Sequence, residues 1–181
     1  MSRVRVYIAC SLDGFIAGPD DDLAWLDDYS EAIQEDPGDG IGFGDFMAEV
    51  GALLMGRRTY DVVEGFDGDW PYGETPVVVA TTRALDPVAP TVQAVSGSIE
   101  QVVARAKEVA GDGDVYLDGG GMIRQALDAG LVDELIVSQA PTVLGKGIPL
   151  FAGVEREHRF RVEQVLRIGP MVQLVMRPSP G

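Results

Sequence analysis

"DVYLDGGGMIRQAL", residues 114–127, decides the fold. The run from Asp114 to Leu117 reads as a buried strand, and Met122, Ile123, Ala126 and Leu127 fall on one helical face. Between the two stand Asp118 and three consecutive glycines. Three glycines together cost backbone entropy, so some constraint requires bare backbone there. Two readings are open from this stretch alone. It is a tight strand-to-helix corner, or it is a turn that lets a phosphate approach main-chain N–H groups at a helix start. It is not a G-x-G-x-x-G fingerprint, and no acid stands at the offset that would take a ribose.

Working outward, "VRVYIAC" (4–10), "ALLM" (52–55) and "TPVVVATT" (75–82) read as strands, with a weaker one in "TVQAV" (91–95). "VDELIVSQAPTVL" (132–144) reads as a long strand bent at Pro141. A helix is predicted near 43–51, with Phe43, Phe46, Met47, Val50 and Leu54 on one face and Asp45 and Glu49 on the other. Another starts at Gly56 in "GRRTYDVVEGF". The clearest is "SGSIEQVVARAKEVAG", with Ser98 as N-cap and Gly111 as the stop. Residues 18–42 form an irregular acidic excursion with a helical turn around Leu23 to Ile33. "FRVEQVLRIGPMVQLVMR" (160–177) alternates about Gly169–Pro170 as a β-hairpin does.

Strand and helix alternate to about residue 140, and two strands follow. The expectation is one α/β domain over 1–181, a central mostly parallel sheet flanked by helices with an antiparallel C-terminal hairpin. In such sheets ligands bind beyond the carboxyl ends of the strands. The loops of interest are therefore 11–22, 56–60, 80–84, 118–122 and 138–149.

Composition narrows the function. The chain has 181 residues, 46% of them hydrophobic, which suits one core. Its formal net charge of -15 repels phosphate backbones and anionic lipid, so neither nucleic acid nor a membrane surface is an expected partner. No Lys or Arg stands between Arg5 and Arg57. Cys10 is the only cysteine, so no intrachain disulfide forms; a buried inert thiol in a reducing, cytoplasmic setting is expected. His158 is the only histidine, which leaves no set of ligands for a Cys/His metal site. The N-terminal apolar run is too short for a signal peptide, and no run approaches the length of a membrane span.

The basic residues that exist fall at strand ends. Gly56, Arg57, Arg58 and Thr59 put two guanidinium forks at a helix start, which suits a phosphate. "ATTR" ends in Thr81, Thr82 and Arg83, and Arg124 follows the glycines. The plainer alternative is that these arginines solvate helix starts, although the helix dipole disfavours them there.

"ALLMGRRTYD", "VVVATTR", "VYLDGGGMIRQAL", "DELIVSQAPTVLGKGIPLF" and "SLDGFIAG" together resemble the dihydrofolate reductase-like superfamily, in the branch related to the C-terminal reductase domain of riboflavin biosynthesis. The resemblance covers nearly the whole chain. It implies NADPH as hydride donor. By that likeness Gly56, Arg57, Arg58 and Thr59 meet the adenosine-side phosphates, and Thr81, Thr82 and Arg83 surround the 2′-phosphate and adenine. Gly119, Gly120 and Gly121 admit the pyrophosphate, and Met122 and Ile123 begin the helix beneath it. Ala9, Ile16 and Ala17 line the nicotinamide, while Trp25, Phe46 and Ser138 look toward the substrate.

The departures matter too. Dihydrofolate reductases carry a pterin-gripping carboxylate on the first helix, and no acid here stands in the matching context. Folate's glutamate tail would also meet few positive groups, so folate is a doubtful substrate. Asp118 stands where the family usually has an apolar residue; it either donates a proton or caps the helix turn. Asp13 either makes an Asx-type turn or takes part in catalysis. Trp25 is an aromatic wall or a packing residue, and Lys146 meets an anionic substrate or solvates its loop. The function implied is an NADPH-dependent reductase acting on a small conjugated or heterocyclic acceptor (pterin/folate or pyrimidine-like), in a homodimer covered at the 160–177 hairpin. The alternative is an NADP-binding sensor without turnover.

Overall fold

Val77, Val78 and Val79 are all fully buried, the mark of a strand covered on both faces. They lie in a central sheet built as expected for an α/β chain. The computed structural model describes residues 2–179. In chain order its elements are β1 (Val4–Cys10), β2 (Phe15–Ala17), α1 (Asp27–Glu35), α2 (Phe43–Met47), β3 (Val50–Gly56), α3 (Arg57–Glu64), β4 (Val77–Ala80), β5 (Val92–Val95), α4 (Ile99–Ala110), β6 (Asp114–Asp118), α5 (Gly120–Asp128), β7 (Glu134–Gln139), β8 (Ile148–Pro149), β9 (Phe160–Ile168) and β10 (Met171–Pro178).

The sheet order is β5-β4-β3-β6-β1-β7-β10-β9. Every pairing from β5 to β7 is parallel, and β10 and β9 close it antiparallel. A separate two-stranded ribbon, β2 with β8, sits beside the carboxyl end of β1. On one face α4 and α5 pack Val102, Val103, Ala106, Ile123, Ala126 and Leu127 against Val4, Val6, Leu54 and Leu117. On the other, Phe46 of α2 and Tyr60 of α3 pack against Leu53, Met55, Tyr116 and Ile136. Ser98 caps α4 through a reciprocal pair with Gln101.

Several expected boundaries move. The helix expected near 43–51 stops at Met47, and Val50 already pairs with Asp114 in the sheet. Leu54 therefore reaches the core from a strand, because ladder bonds to β4 and β6 outweigh helical spacing. The strand expected over 132–144 ends at Gln139. After it, Ala140 donates to the Cys10 carbonyl, and Pro141 has no N–H to continue a ladder. The strand expected over 75–82 shrinks to Val77–Ala80. The acidic segment is more regular than expected, holding two short 3-10 turns and α1.

The amino-terminal ends of the strands are tied together by charge. Arg5 of β1 is almost fully buried. Its Nε donates to Glu134 at 2.7 Å, and its Nη1 to Glu49 at 2.6 Å and Asp114 at 3.3 Å. Its guanidinium also lies 4.9 Å from the centre of the Phe46 ring. Arg3 adds a two-pronged contact to Asp114. Burial works against ionisation of Asp114, yet the Arg3 hydrogen bonds and the two arginine charges hold its carboxyl below the usual range. Glu49, which helical phase assigned to an open surface, is thus part of this network. Truncating Arg5 removes the 2.7 Å partner of the buried Glu134, which keeps only Arg177 at 3.4 Å, and leaves Asp114 to Arg3 alone. Arg5→Leu is expected to lower unfolding free energy by about 3–5 kcal/mol, measured by urea denaturation.

Candidate functional site

The carboxyl ends of β1, β3 and β6 open onto one cleft of about 730 Å³. Two helices begin at its rim, α3 after Gly56 and α5 after Gly119, and neither carries a side-chain cap. Their first N–H groups are therefore left for an anion.

The three glycines divide the work. Gly119 has φ +90, and a Cβ on it would run into Thr59 Oγ1. A Cβ on Gly120 would come within 3.0 Å of both Ile16 Cδ1 and Arg124 Nη1. Gly119 is needed for the corner by its positive φ, whereas the contacts at Gly120 are the far ends of two flexible side chains. A Cβ on Gly121 would meet nothing within 4 Å and would project into open space at the cleft. The stretch is a tight corner that also leaves bare backbone facing the cleft. This open, bare helix start, next to Arg57, Arg58 and Thr59, fits a pyrophosphate-bearing cofactor.

Of the residues expected from sequence, Ala9, Ile16, Ala17, Gly56, Arg57, Arg58, Thr59, Gly119, Gly120, Gly121, Met122 and Asp118 all line this cleft. Ile123 lies beneath it in the core. Thr81, Thr82 and Arg83 follow β4 beyond the lining; Thr81 Oγ1 accepts from the Arg83 N–H at 3.0 Å. Arg83 and Arg57 converge on Asp61, at 3.5 Å and 2.6 Å. Arg58 is held by Asp21, whose two oxygens accept from its Nε and Nη2 at 3.0–3.1 Å.

Four of the expected residues stand outside the cleft lining. Phe46 is buried against Tyr7 and Tyr116 rather than facing the cleft. Ser138 is buried and accepts from Gln173. Trp25 packs on Tyr29, Ile168 and Met171 in a separate cluster. Asp13 does not reach the cleft. Its carboxylate accepts from Ser11 Oγ and from the N–H groups of Leu144 and Gly145, so it fixes the 142–145 turn. Those bonds, Ser11 foremost, hold it below the usual range.

The cleft's apolar walls come from residues the sequence did not single out: Tyr7, Leu23, Leu26, Val62, Phe66, Tyr72 and Tyr116, with Phe43 in place of Phe46. Tyr7 follows from strand alternation, since it shares a face with the inward Arg5. Tyr72 sits in the loop "DGDWPYGE", where no periodicity could mark it.

Asp118 ends β6, beside Met55 of β3. Its Oδ1 accepts from the Gly119 N–H at 2.7 Å, which is a local turn bond and leaves α5 without a side-chain cap. Burial pushes this carboxyl up to about 6, against the opposing pull of the Gly119 N–H. Burial, and then the Asp118 charge, raise the Tyr72 and Tyr116 hydroxyls as well. Cys10 is buried and pushed up to about 11, so it is no nucleophile. His158 pairs with Asp128 at 2.7 Å by a second hollow of about 370 Å³, lined by Gly130, Val132 and Ser179 among others. Among the described residues no cluster of His, Cys, Asp or Glu could hold a metal, and no helix is long and apolar enough to cross a membrane.

This architecture, with two helix starts and a glycine corner at the strand ends, is that of the dihydrofolate reductase-like α/β proteins. Residues 2–174 match the RibD C-terminal domain, and the chain belongs to that family. It is 31% identical to the YwjB protein of Bacillus subtilis (strain 168) over 173 residues, 95% of each chain. A Shewanella sp. PV-4 protein assigned to riboflavin biosynthesis superposes with a TM-score of 0.83 at 31% identity, covering 98% of this chain and 99% of that one. The Saccharomyces cerevisiae riboflavin biosynthesis reductase Rib7 shares the fold at a TM-score of 0.65 and 15% identity, over 98% and 90% of the two chains.

The glycines give a paired test. Gly121→Ala adds helix propensity and meets no clash, so it is expected to raise thermal stability by up to about 1 kcal/mol while weakening nucleotide binding. Gly119→Ala strains a positive φ and collides with Thr59, so it is expected to lower stability. Differential scanning calorimetry and nucleotide titration of both variants check this.

Proposed function

We propose that the chain is an NADPH-dependent reductase that delivers a hydride to a small conjugated heterocycle of pyrimidine or pterin type. The observation that carries this reading is one cleft with an anion-binding half, an aromatic half, and the Asp118 carboxyl where they meet. Membership of the RibD C-terminal domain family supports the reductase chemistry.

When bound, NADPH supplies the hydride. Arg57, Arg58, Thr59, Gly119, Gly120 and Gly121 would hold its phosphates with the first N–H groups of α3 and α5. Thr81, Thr82 and Arg83 would meet the 2′-phosphate end, and Ala9, Ile16 and Ala17 the nicotinamide. The chain's own part is to stack the two rings and exclude water, which Tyr7, Phe43 and Tyr116 favour. Saturating a C=N bond also consumes one proton, and Asp118 is the group poised to hold it at the acceptor end. A homodimer is proposed at the β9 edge, where Val162 and Val165 are exposed, with Val172 of the adjoining β10. We place the chain in the cytoplasm on the reducing setting its single thiol suits.

In thermal-shift titrations NADPH is expected to stabilise more than NADH or ATP. Equal shifts with NADPH and NADH would remove the 2′-phosphate assignment. Oxidation of NADPH with a panel of pterin and pyrimidine acceptors separates the reductase from the sensor. Turnover is expected to fall as pH rises through about 6, where burial places the Asp118 carboxyl. In Asp118→Asn that limb of the profile disappears. Stability shifts the same way. Below the ordinary carboxylate range Asp118 is protonated folded or unfolded and costs nothing; above about 6 the folded state must bury its charge. Asp118→Asn should therefore be more stable than the parent at pH 8, by on the order of 2 kcal/mol, with the gain vanishing below pH of about 4.

A further inference from the structure

Residues 18–24 form a strap between two fixed points. At one end Ala17 pairs with Ile148 in the β2–β8 ribbon. At the other, Trp25 packs on Tyr29, Ile168 and Met171. The backbone hydrogen bonds between these points stay within the segment. Gly18 N–H donates to the Asp22 carbonyl at 2.7 Å, Asp22 N–H to the Pro19 carbonyl at 3.2 Å, and Ala24 N–H to Asp22 Oδ1 at 3.0 Å. Among the described residues one tether leaves the strap. The Asp21 carboxylate accepts from Nε and Nη2 of Arg58 at 3.0–3.1 Å. Asp21 and Leu23 line the cleft, as Arg58 does.

The strap is also strained. Asp20 and Asp21 have φ of +58 and +61, and among the described residues no other side-chain-bearing residue has a positive φ. Asp tolerates this region better than most residues, yet two in succession are unfavourable. Arg58 stands on the first turn of α3, whose N–H groups have no side-chain cap. Asp21 therefore occupies the guanidinium that an incoming anion would use. An exposed pair of this kind is weak and exchanges for a second anion. Once it exchanges, no other hydrogen bond ties residues 18–24 to the body, and the turn can leave its left-handed conformation.

We propose that Asp21 is a built-in competitor for the anion at Arg58: a phosphate or pyrophosphate group displaces its carboxylate, releases the 18–24 strap and so opens the part of the cleft wall that Leu23 forms. A phosphate group outcompetes the carboxylate because it brings more charge and more acceptor oxygens to the same guanidinium fork. The proposal rests on reading Arg58 as one of the groups that hold the cofactor's phosphates. The coupling is reciprocal: loosening the tether tightens anion binding, and anion binding loosens the strap.

The test is binding without turnover. Inorganic pyrophosphate and NADP+ are titrated calorimetrically into the whole chain and two variants. Asp21→Asn removes the charge and keeps a residue that tolerates a positive φ. It is expected to bind both ligands about fivefold tighter. Asp20→Asn removes an equal charge from an exposed neighbour that Arg58 does not hold, and is expected to change affinity by less than about twofold. Unchanged or weaker binding in Asp21→Asn, or an equal gain in Asp20→Asn, would overturn the proposal. Hydrogen exchange read by mass spectrometry follows the strap. Pyrophosphate is expected to speed exchange across residues 20–24 by roughly threefold or more in the parent, and to change little in Asp21→Asn, where it is already fast. Slower or unchanged exchange in the parent on binding defeats the release step. Oxidation of NADPH is followed separately. No oxidation with any acceptor, with the exchange response intact, defeats the reductase reading and leaves the competitor standing; NADP+ turnover with no exchange response does the reverse. Failure of both ligands to bind the parent and Asp21→Asn overturns the proposal together with the phosphate assignment.

Discussion

The contact between Gly119 and Thr59 is the constraint on which the site depends. It brings the corner after β6 against the first turn of α3, so that two uncapped helix starts share one rim. A side chain at position 119 would strain a positive φ and press on the Thr59 hydroxyl. That closeness lets Arg57, Arg58, Thr59 and the open backbone of Gly121 face one space, in a chain whose net charge is otherwise strongly negative. The aromatic half follows from the same frame, because Tyr116 and Asp118 extend from the strand that this corner terminates.

The two ends of the sheet are built on opposite principles. At the amino-terminal ends, Arg3 and Arg5 are matched by Asp114, Glu134 and Glu49, and the network is closed and largely buried. At the carboxyl ends, arginines lie on the surface against Asp21 and Asp61, in pairs worth little in water and readily exchanged for another anion. The binding end keeps bare backbone, open polar atoms and a carboxyl whose ionisation burial resists.

Much of this was legible in the residues. Buried parallel strands show as apolar runs such as "VVVA", and the hairpin shows as alternation about Gly169–Pro170. The glycine and arginine half of the cleft was legible because it is made of backbone and of residues next to one another in sequence: Gly56 to Thr59, and Gly119 to Met122. The aromatic half was not. Its walls combine Tyr7, Phe43, Val62, Phe66 and Tyr72 from separate elements, and single aromatics carry no local sign of which cavity they face. Phe46 and Phe43 share a helical face by spacing, yet one is buried beneath Tyr7 and the other opens to the cleft.

The sequence by itself determined the strand and helix alternation, the demand for bare backbone at 119–121 and the clustering of arginines at strand ends, since each is a local property of adjacent residues. Only the tertiary structure decided that a side chain is strained at Gly119, crowded at Gly120 and unobstructed at Gly121. It alone set Asp13 against the 142–145 turn and left Asp118 as the buried acid of the cleft. Those outcomes depend on what lies across space: Thr59 against Gly119, the 142–145 turn against Asp13, and the aromatic wall around Asp118. Contacts between distant segments set desolvation and steric fit, and no local pattern encodes them.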